Sequence, residues 1–189
     1  TYDNYDRQFV KGWNDSILVE QHGKTTGVLH GWAPIPGGYN VELAIPWSNL
    51  GITPTAGMTL GFSVGYNDDD NGAGRDGQAV WIGTANNYLD TSAFGNIVLG
   101  ADMNLIAVPY TSTNLTVDGN VSESDWNIAT DVSKTVIGTT NNTTTFGVLW
   151  DNTYLYVGMK VLDDTLYNDS TYVHEIGRAS CRERVYHGV

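Results

Sequence analysis

The sequence predicts an all-β protein built as an antiparallel β-sandwich. Apolar and polar residues alternate with period two through most of the 189 residues, and no stretch carries apolar residues at a sustained helical spacing. Glycine-rich turns separate the alternating stretches at the short intervals that are typical of sandwiches. Together these observations favour packed sheets over a helical or mixed fold.

The clearest strand in the first part of the chain covers residues 39–45. Its alternation separates an apolar face from a more polar one, Tyr39, Val41, Leu43 and Ile45 against Asn40, Glu42 and Ala44. Such a pattern is typical of a half-buried strand. Pro46 should end it, because proline cannot donate a hydrogen bond to the ladder.

Two further strands and several turns follow. Alternating apolar residues predict strands over residues 60–66 and 154–161, the second with Leu155, Val157, Met159 and Val161 on its core face. Asn-Gly at Asn71 and Asp-Gly at Asp76 and Asp118 are turn signals. The one helical turn that the sequence predicts follows Ser122, where residues 122–125 resemble a capping box before Trp126.

Composition excludes two classes of partner. The formal net charge is −12. A nucleic acid or an anionic membrane surface would be repelled by such a protein, because binding either one requires clustered Lys and Arg. No apolar run approaches the roughly 20 residues of a membrane span. The single cysteine, Cys181, rules out a disulfide framework.

Two segments carry a family resemblance. Residues 38–99, which include YNVELAIPWSNLG, resemble the C-terminal part of a family 9 carbohydrate-binding module, and residues 115–169, which open with LTVDGNVSESDW, resemble the beginning of the same family. The order of the two segments suggests a piece of a tandem array. We therefore expect a C-terminal half-module over residues 1–100, a linker over 101–114 and an N-terminal half-module over 115–175.

The two half-modules are complementary pieces of one fold. The resemblance implies a jelly-roll-like sandwich, and an isolated half would leave backbone groups unpaired and an apolar face uncovered. We therefore predict that the halves complete each other as a circularly permuted single sandwich. Specifically, the strand over residues 154–161 should contact strands that precede Leu99.

The resemblance also implies a ligand. Modules of this family hold the end of a glucan chain between two aromatic rings with help from polar side chains, and they contain calcium sites. The segment ANNYLDTSAF at residues 85–94 matches the part of the family that carries one ring, with Asn86 at a polar contact and Tyr88 as the ring. A one-residue gap in the alignment of this loop with the family makes Leu89 the competing match for the ring. The second ring would lie just after Asp169, where the sequence offers Tyr172 and His174.

The sequence departs from the family at other sugar contacts. The arginine contact of the family falls at Val10, beside Lys11, and its glutamine contact falls at Gly65. Its glutamate contact belongs to a strand that neither segment covers. These departures favour weak binding, an altered specificity or no binding.

The acidic loop at residues 67–76, NDDDNGAGRD, is a candidate calcium site. Closely spaced carboxylates on a glycine-rich loop supply the hard oxygen ligands that calcium prefers, and Asp68 and Asp70 are the candidate ligands. The loop does not match an EF-hand, because Gln78 falls where a bidentate glutamate is required. A solvated hairpin loop without a metal is the competing interpretation, and it applies also to the pair Asp163 and Asp164.

The C-terminal residues differ in character from the rest. Residues 176–186 lie in the sequence EIGRASCRERVY, which resembles a translated sequencing adapter, and they contain Cys181 together with three of the nine basic residues. We expect residues 176–189 to be a non-native tail.

Three function classes follow. The first is a non-catalytic glycan-binding module, bacterial and extracellular or on the cell surface, that belongs to a polysaccharide-degrading or surface protein with neighbouring modules. The second is a structural spacer in a tandem surface protein. The third is a haem-binding electron-transfer sandwich, although Met58, Met103, Met159, His22 and His30 show no paired ligand motif. No motif surrounds the few glutamates, so we predict that the chain is not an enzyme.

Overall fold

The computed structural model describes residues 6–72, 74–100, 106–166 and 182–185. Within these residues the chain forms fourteen strands and one short helix. They are β1 (Phe9–Lys11), β2 (Leu18–Glu20), β3 (Leu29–Ile35), β4 (Gly38–Pro46), α1 (Trp47–Leu50), β5 (Thr59–Ser63), β6 (Gly65–Asp68), β7 (Gly77–Val80), β8 (Gly95–Leu99), β9 (Ile106–Val108), β10 (Thr130–Asp131), β11 (Lys134–Gly138), β12 (Thr143–Trp150), β13 (Tyr154–Leu162) and β14 (Arg182–Val185). The predicted all-β class is confirmed.

The largest sheet joins strands from both halves of the chain. Its order is β10-β12-β13-β4-β3, and every neighbouring pair is antiparallel. Strand β13 pairs with β4 from Tyr154 opposite Pro46 to Leu162 opposite Gly38. The predicted contact between residues 154–161 and strands before Leu99 is therefore confirmed.

The remaining strands form smaller sheets. Strands β1 and β2 form a hairpin, and a three-stranded sheet has the order β11-β7-β6, so that β11 of the second half pairs with β7 of the first half. A four-stranded sheet has the order β14-β5-β8-β9. Its β8 and β9 pair in parallel, an exception to the antiparallel pattern, and β9 lies within the segment predicted as a linker. Strand β14 lies in the segment predicted as a tail and pairs with β5.

One hydrophobic core joins the sheets. It contains the predicted inward faces of β4 and β13 together with residues of β5, β6, β8 and β12. Phe146 of the second half lies 6.1 Å from Phe62 and 5.5 Å from Trp81 of the first half, measured between ring centroids. The two halves therefore share a single apolar interior.

A second layer covers the other face of the five-stranded sheet. Residues 115–128, which we call the strap, cross this face, and Leu115, Val117 and Trp126 pack against Ala44, Leu149 and Tyr156. Glycines make room for the crossing. An ideal Cβ at Gly31 of β3 would lie 2.6 Å from Gly119 N. At Gly158 of β13 it would lie 2.7 Å from Val121 Cγ1, and at Gly147 of β12 it would lie 2.5 Å from Asn127 O.

The strap corrects one sequence-based expectation. The alternation along residues 39–45 predicts a half-buried strand, yet Asn40, Glu42 and Ala44 are also buried. The period is as predicted, but the polar face lies under the strap instead of in solvent. The predicted helical turn after Ser122 is a single turn closed by Trp126 N–H and Glu123 O at 3.1 Å, whereas the helix α1 was not predicted.

No helix among the described residues has the length and apolar character needed to cross a membrane.

Candidate functional site

The loop between β7 and β8 presents the candidate sugar contacts. Two tight turns shape it: the Asn87 N–H donates to Thr84 O at 3.1 Å, and the Leu89 and Asp90 N–H groups both donate to Asn86 O at 2.9 Å. These backbone hydrogen bonds hold residues 84–90 in a compact loop that projects from the sheet. We call residues 83–90 the binding loop.

The candidate side chains differ in exposure. Asn86 is exposed and Tyr88 is half-buried. Leu89, the competing match for the stacking ring, is 52% exposed. The structure therefore places all three at or near the surface of the binding loop, with Leu89 the most open apolar group among them.

The side chain of Asn87 points into the binding loop. Its Oδ1 accepts a hydrogen bond from Thr84 N–H at 2.8 Å, and its Nδ2 donates to Ile82 O at 3.2 Å and to Ser63 Oγ at 3.3 Å. Sequence reasoning treated Asn87 only as the neighbour of Asn86. The signal that could have revealed it is the preceding Gly83, whose missing side chain leaves space for the amide.

An aromatic cluster supports the base of the loop. Trp81 precedes the binding loop, and its ring packs beside Phe62 and Phe146. Gly95 lies under this ring, because an ideal Cβ there would approach Trp81 Cη2 at 2.8 Å. The loop therefore begins and ends on the shared core.

The second candidate ring cannot be placed. Tyr172 and His174 lie outside the described residues.

The two positions that depart from the family offer no sugar contact of the family type. Val10 is buried, and Lys11 is buried with its Nζ donating to Asp15 O. Burial lowers the pKa of Lys11, and the charge of Asp15 partly offsets this effect. At Gly65 an ideal Cβ would lie 2.9 Å from Ala79 O, so a longer side chain would require the sheet to shift.

A carboxylate cluster joins the two halves at the end of β6. One carboxylate oxygen from each of Asp68, Asp70 and Asp163 lies within 4.8 Å of the others. Asp68 and Asp70 are the predicted ligands, and Asp163 comes from the segment after β13. Sequence reasoning named Asp163 and Asp164 as a separate pair, because it had no means of placing the end of β13 beside the end of β6.

Asn142 lies between the two most enclosed carboxylates. Its Nδ2 donates to Asp68 Oδ1 at 2.8 Å and to Asp163 Oδ2 at 3.1 Å. Asp68 is only 1% exposed. Asp68 Oδ2 and Asn142 Oδ1 are both buried, and neither has a hydrogen-bond partner in the described part of the chain. Two unpaired oxygens at a carboxylate cluster are the donor set that a hard cation would satisfy.

Other acidic residues of the loop have different partners. Asp69 Oδ1 accepts from Asn71 and Gly72 N–H groups, and Asp76 accepts from Asp70 N–H and from Asn71 Nδ2. Asp69 and Asp76 therefore shape the loop. This division of roles leaves Asp68 and Asp70 for the cluster.

Burial and mutual repulsion disfavour the ionised forms of the carboxylates in the cluster. Burial raises the pKa of Asp163 to about 6, and the charges of Asp68 and Asp70 add to this effect. Burial followed by the charge of Asp68 likewise raises the pKa of Asp70. A divalent cation would reverse these shifts, because it favours the ionised form of each ligand.

Fold and site together define a β-sandwich domain with a surface loop that carries the candidate sugar contacts. The model of the family described as carbohydrate family 9 binding domain-like matches residues 1–101 and 117–178. The chain belongs to this family, as the resemblance in its sequence predicts.

Curated relatives agree with this assignment. Endo-1,4-beta-xylanase A of Thermoanaerobacterium saccharolyticum is 32% identical over 73% of this chain and 12% of that protein. Exoglucanase XynX of Acetivibrio thermocellus is 33% identical over the same shares of each chain. Endo-1,4-beta-xylanase A of Thermotoga maritima is 41% identical over 52% of this chain and 9% of that protein. This chain thus spans about an eighth or less of each relative, and no solved structure gives a significant match.

Proposed function

We propose that this chain is a non-catalytic carbohydrate-binding module whose binding loop holds a glycan against Tyr88 with help from Asn86. The observation that supports the proposal most strongly is the binding loop itself, a surface loop whose Asn87 side chain is hydrogen-bonded to Ser63 of the core. Family membership supports the same class of ligand, since the family is one of binding domains.

The surface chemistry of the loop suits a sugar. A pyranose presents C–H groups on its faces and hydroxyl groups around its rim, so it packs on flat apolar surfaces and pairs with amides. Tyr88 or Leu89 supplies the apolar surface, and the Asn86 amide can donate and accept. We infer β-1,4-linked xylan or cellulose as the glycan, because the relatives are named as xylanases and an exoglucanase.

We also propose a structural calcium ion at the carboxylate cluster. Asp68, Asp70 and Asp163 would supply carboxylate oxygens, and Asn142 Oδ1 would add a carbonyl oxygen. All are hard donors of the kind that calcium prefers. Because the ligands come from both halves of the chain, the ion would stabilise their association.

The setting of the module is part of the proposal. The relatives are bacterial enzymes in which the matched region is a small part. We infer that this chain belongs to a larger extracellular or cell-surface protein that acts on polysaccharides, with further modules beside it.

A structural spacer without a ligand is the second candidate. It is favoured by Gly65, where the sheet leaves no room for the polar side chain that the family resemblance places there, and by the burial of Val10. Losing central contacts typically costs about 2 kcal/mol or more each, which is roughly a thirtyfold weakening.

A calorimetric titration separates the two candidates. Xylohexaose and cellohexaose are titrated into the full chain and into Tyr88→Ala, Leu89→Ala and Asn86→Ala. Tyr110→Ala is the matched control, since Tyr110 is 49% exposed and lies outside the binding loop. The glycan-binding proposal requires heat of binding that Tyr88→Ala or Leu89→Ala removes and that Tyr110→Ala retains. An absence of heat at millimolar sugar would favour the spacer.

A further inference from the structure

We propose that Asn87 is a positioning residue that fixes the binding loop, so that the side chains on either side of it, Asn86 and Tyr88, can meet a sugar. This inference rests on the proposed function, because it concerns how the same loop reaches its binding conformation. Asn87 itself would not contact the ligand.

The amide of Asn87 connects three separate parts of the chain. It accepts from Thr84 within the loop, and it donates to Ile82 O at the end of the preceding strand and to Ser63 Oγ on β5. Ser63 Oγ in turn donates to Ile82 O at 2.6 Å. Ser63 is buried, so the loop is held to a rigid strand of the core.

Gly83 confirms how closely the amide fits. Its φ of +118° is a conformation that favours glycine, and an ideal Cβ would lie 2.2 Å from Asn87 Oδ1. The amide therefore occupies the volume where any other residue at position 83 would place its side chain.

The second half of the chain adds one contact to this arrangement. Lys134 on β11 donates its Nζ to Gly83 O. Lys134 of the second half thus holds Gly83, and Ser63 of the first half holds Asn87. A binding loop arranged in this way depends on the pairing of the halves.

The inward direction of the Asn87 side chain affects the exposure of its neighbours Asn86 and Tyr88. Asn87 directs its side chain inward, while Asn86 is exposed and Tyr88 is half-buried. If the amide bonds were lost, the loop could change conformation, and the exposure of Asn86, Tyr88 and Leu89 would change with it. Asn87 would therefore determine how the polar and apolar side chains of the binding loop are presented to a sugar.

The test compares Asn87→Ala with Ser63→Ala and a control. Asn87→Ala removes all three amide bonds, whereas Ser63→Ala removes one of them, the bond to β5, together with the hydrogen bond from Ser63 Oγ to Ile82 O. Asn152→Ala is the control, because Asn152 is an exposed turn asparagine in the β12–β13 hairpin. Three quantities are measured for each: the dissociation constant for xylohexaose and cellohexaose by calorimetry, the exchange rate of the Thr84 amide proton by NMR, and the melting temperature.

We expect Asn87→Ala to weaken sugar binding by about tenfold or more, because the contacts of Asn86 and Tyr88 with the sugar would be lost from a mobile loop. Thr84 amide exchange should accelerate in the same variant. Ser63→Ala should shift both quantities in the same direction by a smaller factor, and Asn152→Ala should shift neither. A role limited to general stability would lower the melting temperature without a selective change at Thr84.

Two outcomes would overturn the inference. Unchanged Thr84 exchange in Asn87→Ala would show that the amide does not fix the loop. Accelerated exchange with an unchanged dissociation constant would show that fixing the loop has no role in binding. If the unmodified chain binds neither sugar, the proposed function fails by itself, and the Thr84 exchange still decides whether Asn87 holds the loop.

Discussion

The Glu42 carboxylate accepts a hydrogen bond from the Gly119 backbone N–H at 3.0 Å, across 77 positions of the chain. The same oxygen, Oε2, accepts from Asp118 N–H at 3.1 Å. Glu42 belongs to β4 of the first half and Gly119 to the strap of the second half. This contact therefore joins the halves on the outer face of the sheet, as Phe146 and Trp81 join them in the core.

The Glu42 contact predicts a pH dependence of stability. Burial and the charge of Glu123 raise the pKa of Glu42 to about 7 from its ordinary 4.5, although the two backbone N–H groups act in the opposite direction. Since the folded pKa is the higher one, the stabilising contribution is complete below pH 4.5 and is lost as the pH rises through 7. We expect the free energy of unfolding to fall by about 2 kcal/mol between pH 5 and 8.5 from this group.

Glu42→Gln isolates that contribution. The amide can accept from both backbone N–H groups but does not ionise, so the urea unfolding curve of this variant should depend less on pH. Asp163 titrates in both proteins and cancels from the comparison. Identical pH profiles for the two proteins would show that Glu42 does not titrate in this range.

Calcium should raise the melting temperature of the chain. Binding only to the folded state stabilises by about 2.7 kcal/mol when the ion exceeds its dissociation constant a hundredfold, which corresponds to about 5 °C or more for a domain of this size. Because the pKa of Asp163 is about 6, protons compete below that pH, and the calcium effect should weaken there.

Scanning calorimetry with and without calcium measures this effect. Asp68→Asn and Asp163→Asn should abolish the calcium response, whereas Asp131→Asn, which alters an exposed carboxylate on β10, should retain it. A response that survives both cluster variants would place the ion elsewhere. No response in the unmodified chain would favour the solvated loop.

The glycines beneath the strap should resist substitution. An ideal Cβ at Gly31 would meet the backbone of Asp118 and Gly119, whereas at Gly158 it would meet side-chain ends of Val121, Ile128 and Trp126. Overpacking typically costs about 1–3 kcal/mol. We expect Gly31→Ala to be the more destabilising, because backbone cannot move aside as side chains can.

Urea unfolding of the two variants provides the comparison. A neutral Gly31→Ala variant would show that the strap does not pack closely on β3. An effect of Gly158→Ala larger than that of Gly31→Ala would contradict the proposed difference between backbone and side-chain contacts.

Local patterns were sufficient to predict much of the fold. The alternation in residues 39–45 and 154–161 identified the core faces of β4 and β13, because side-chain direction in a strand depends only on position. Recognising two complementary half-modules then predicted the pairing of these strands. The first inference needed only short stretches of sequence. The second needed also the free-energy cost of leaving a strand edge unpaired.

Features that depend on long-range contacts were not predicted. The burial of Glu42 requires the strap, whose Asp118 lies 76 positions away along the chain. The cluster of Asp68 with Asp163 requires knowing that β6 and β13 end at the same place. Asn87 was missed because two of its partners are backbone groups, which carry no side-chain signal, and the third is the buried Ser63 hydroxyl, 24 positions away.

The most direct test of a glycan-binding loop is an NMR titration of the full chain with xylohexaose and cellohexaose, following every assigned backbone amide. We predict that the amides of residues 83–90 shift in a saturable manner, together with any from residues 172–174, and that the amides of the strap remain unchanged. Saturable shifts confined to another surface, or no shifts at millimolar sugar, would contradict the account.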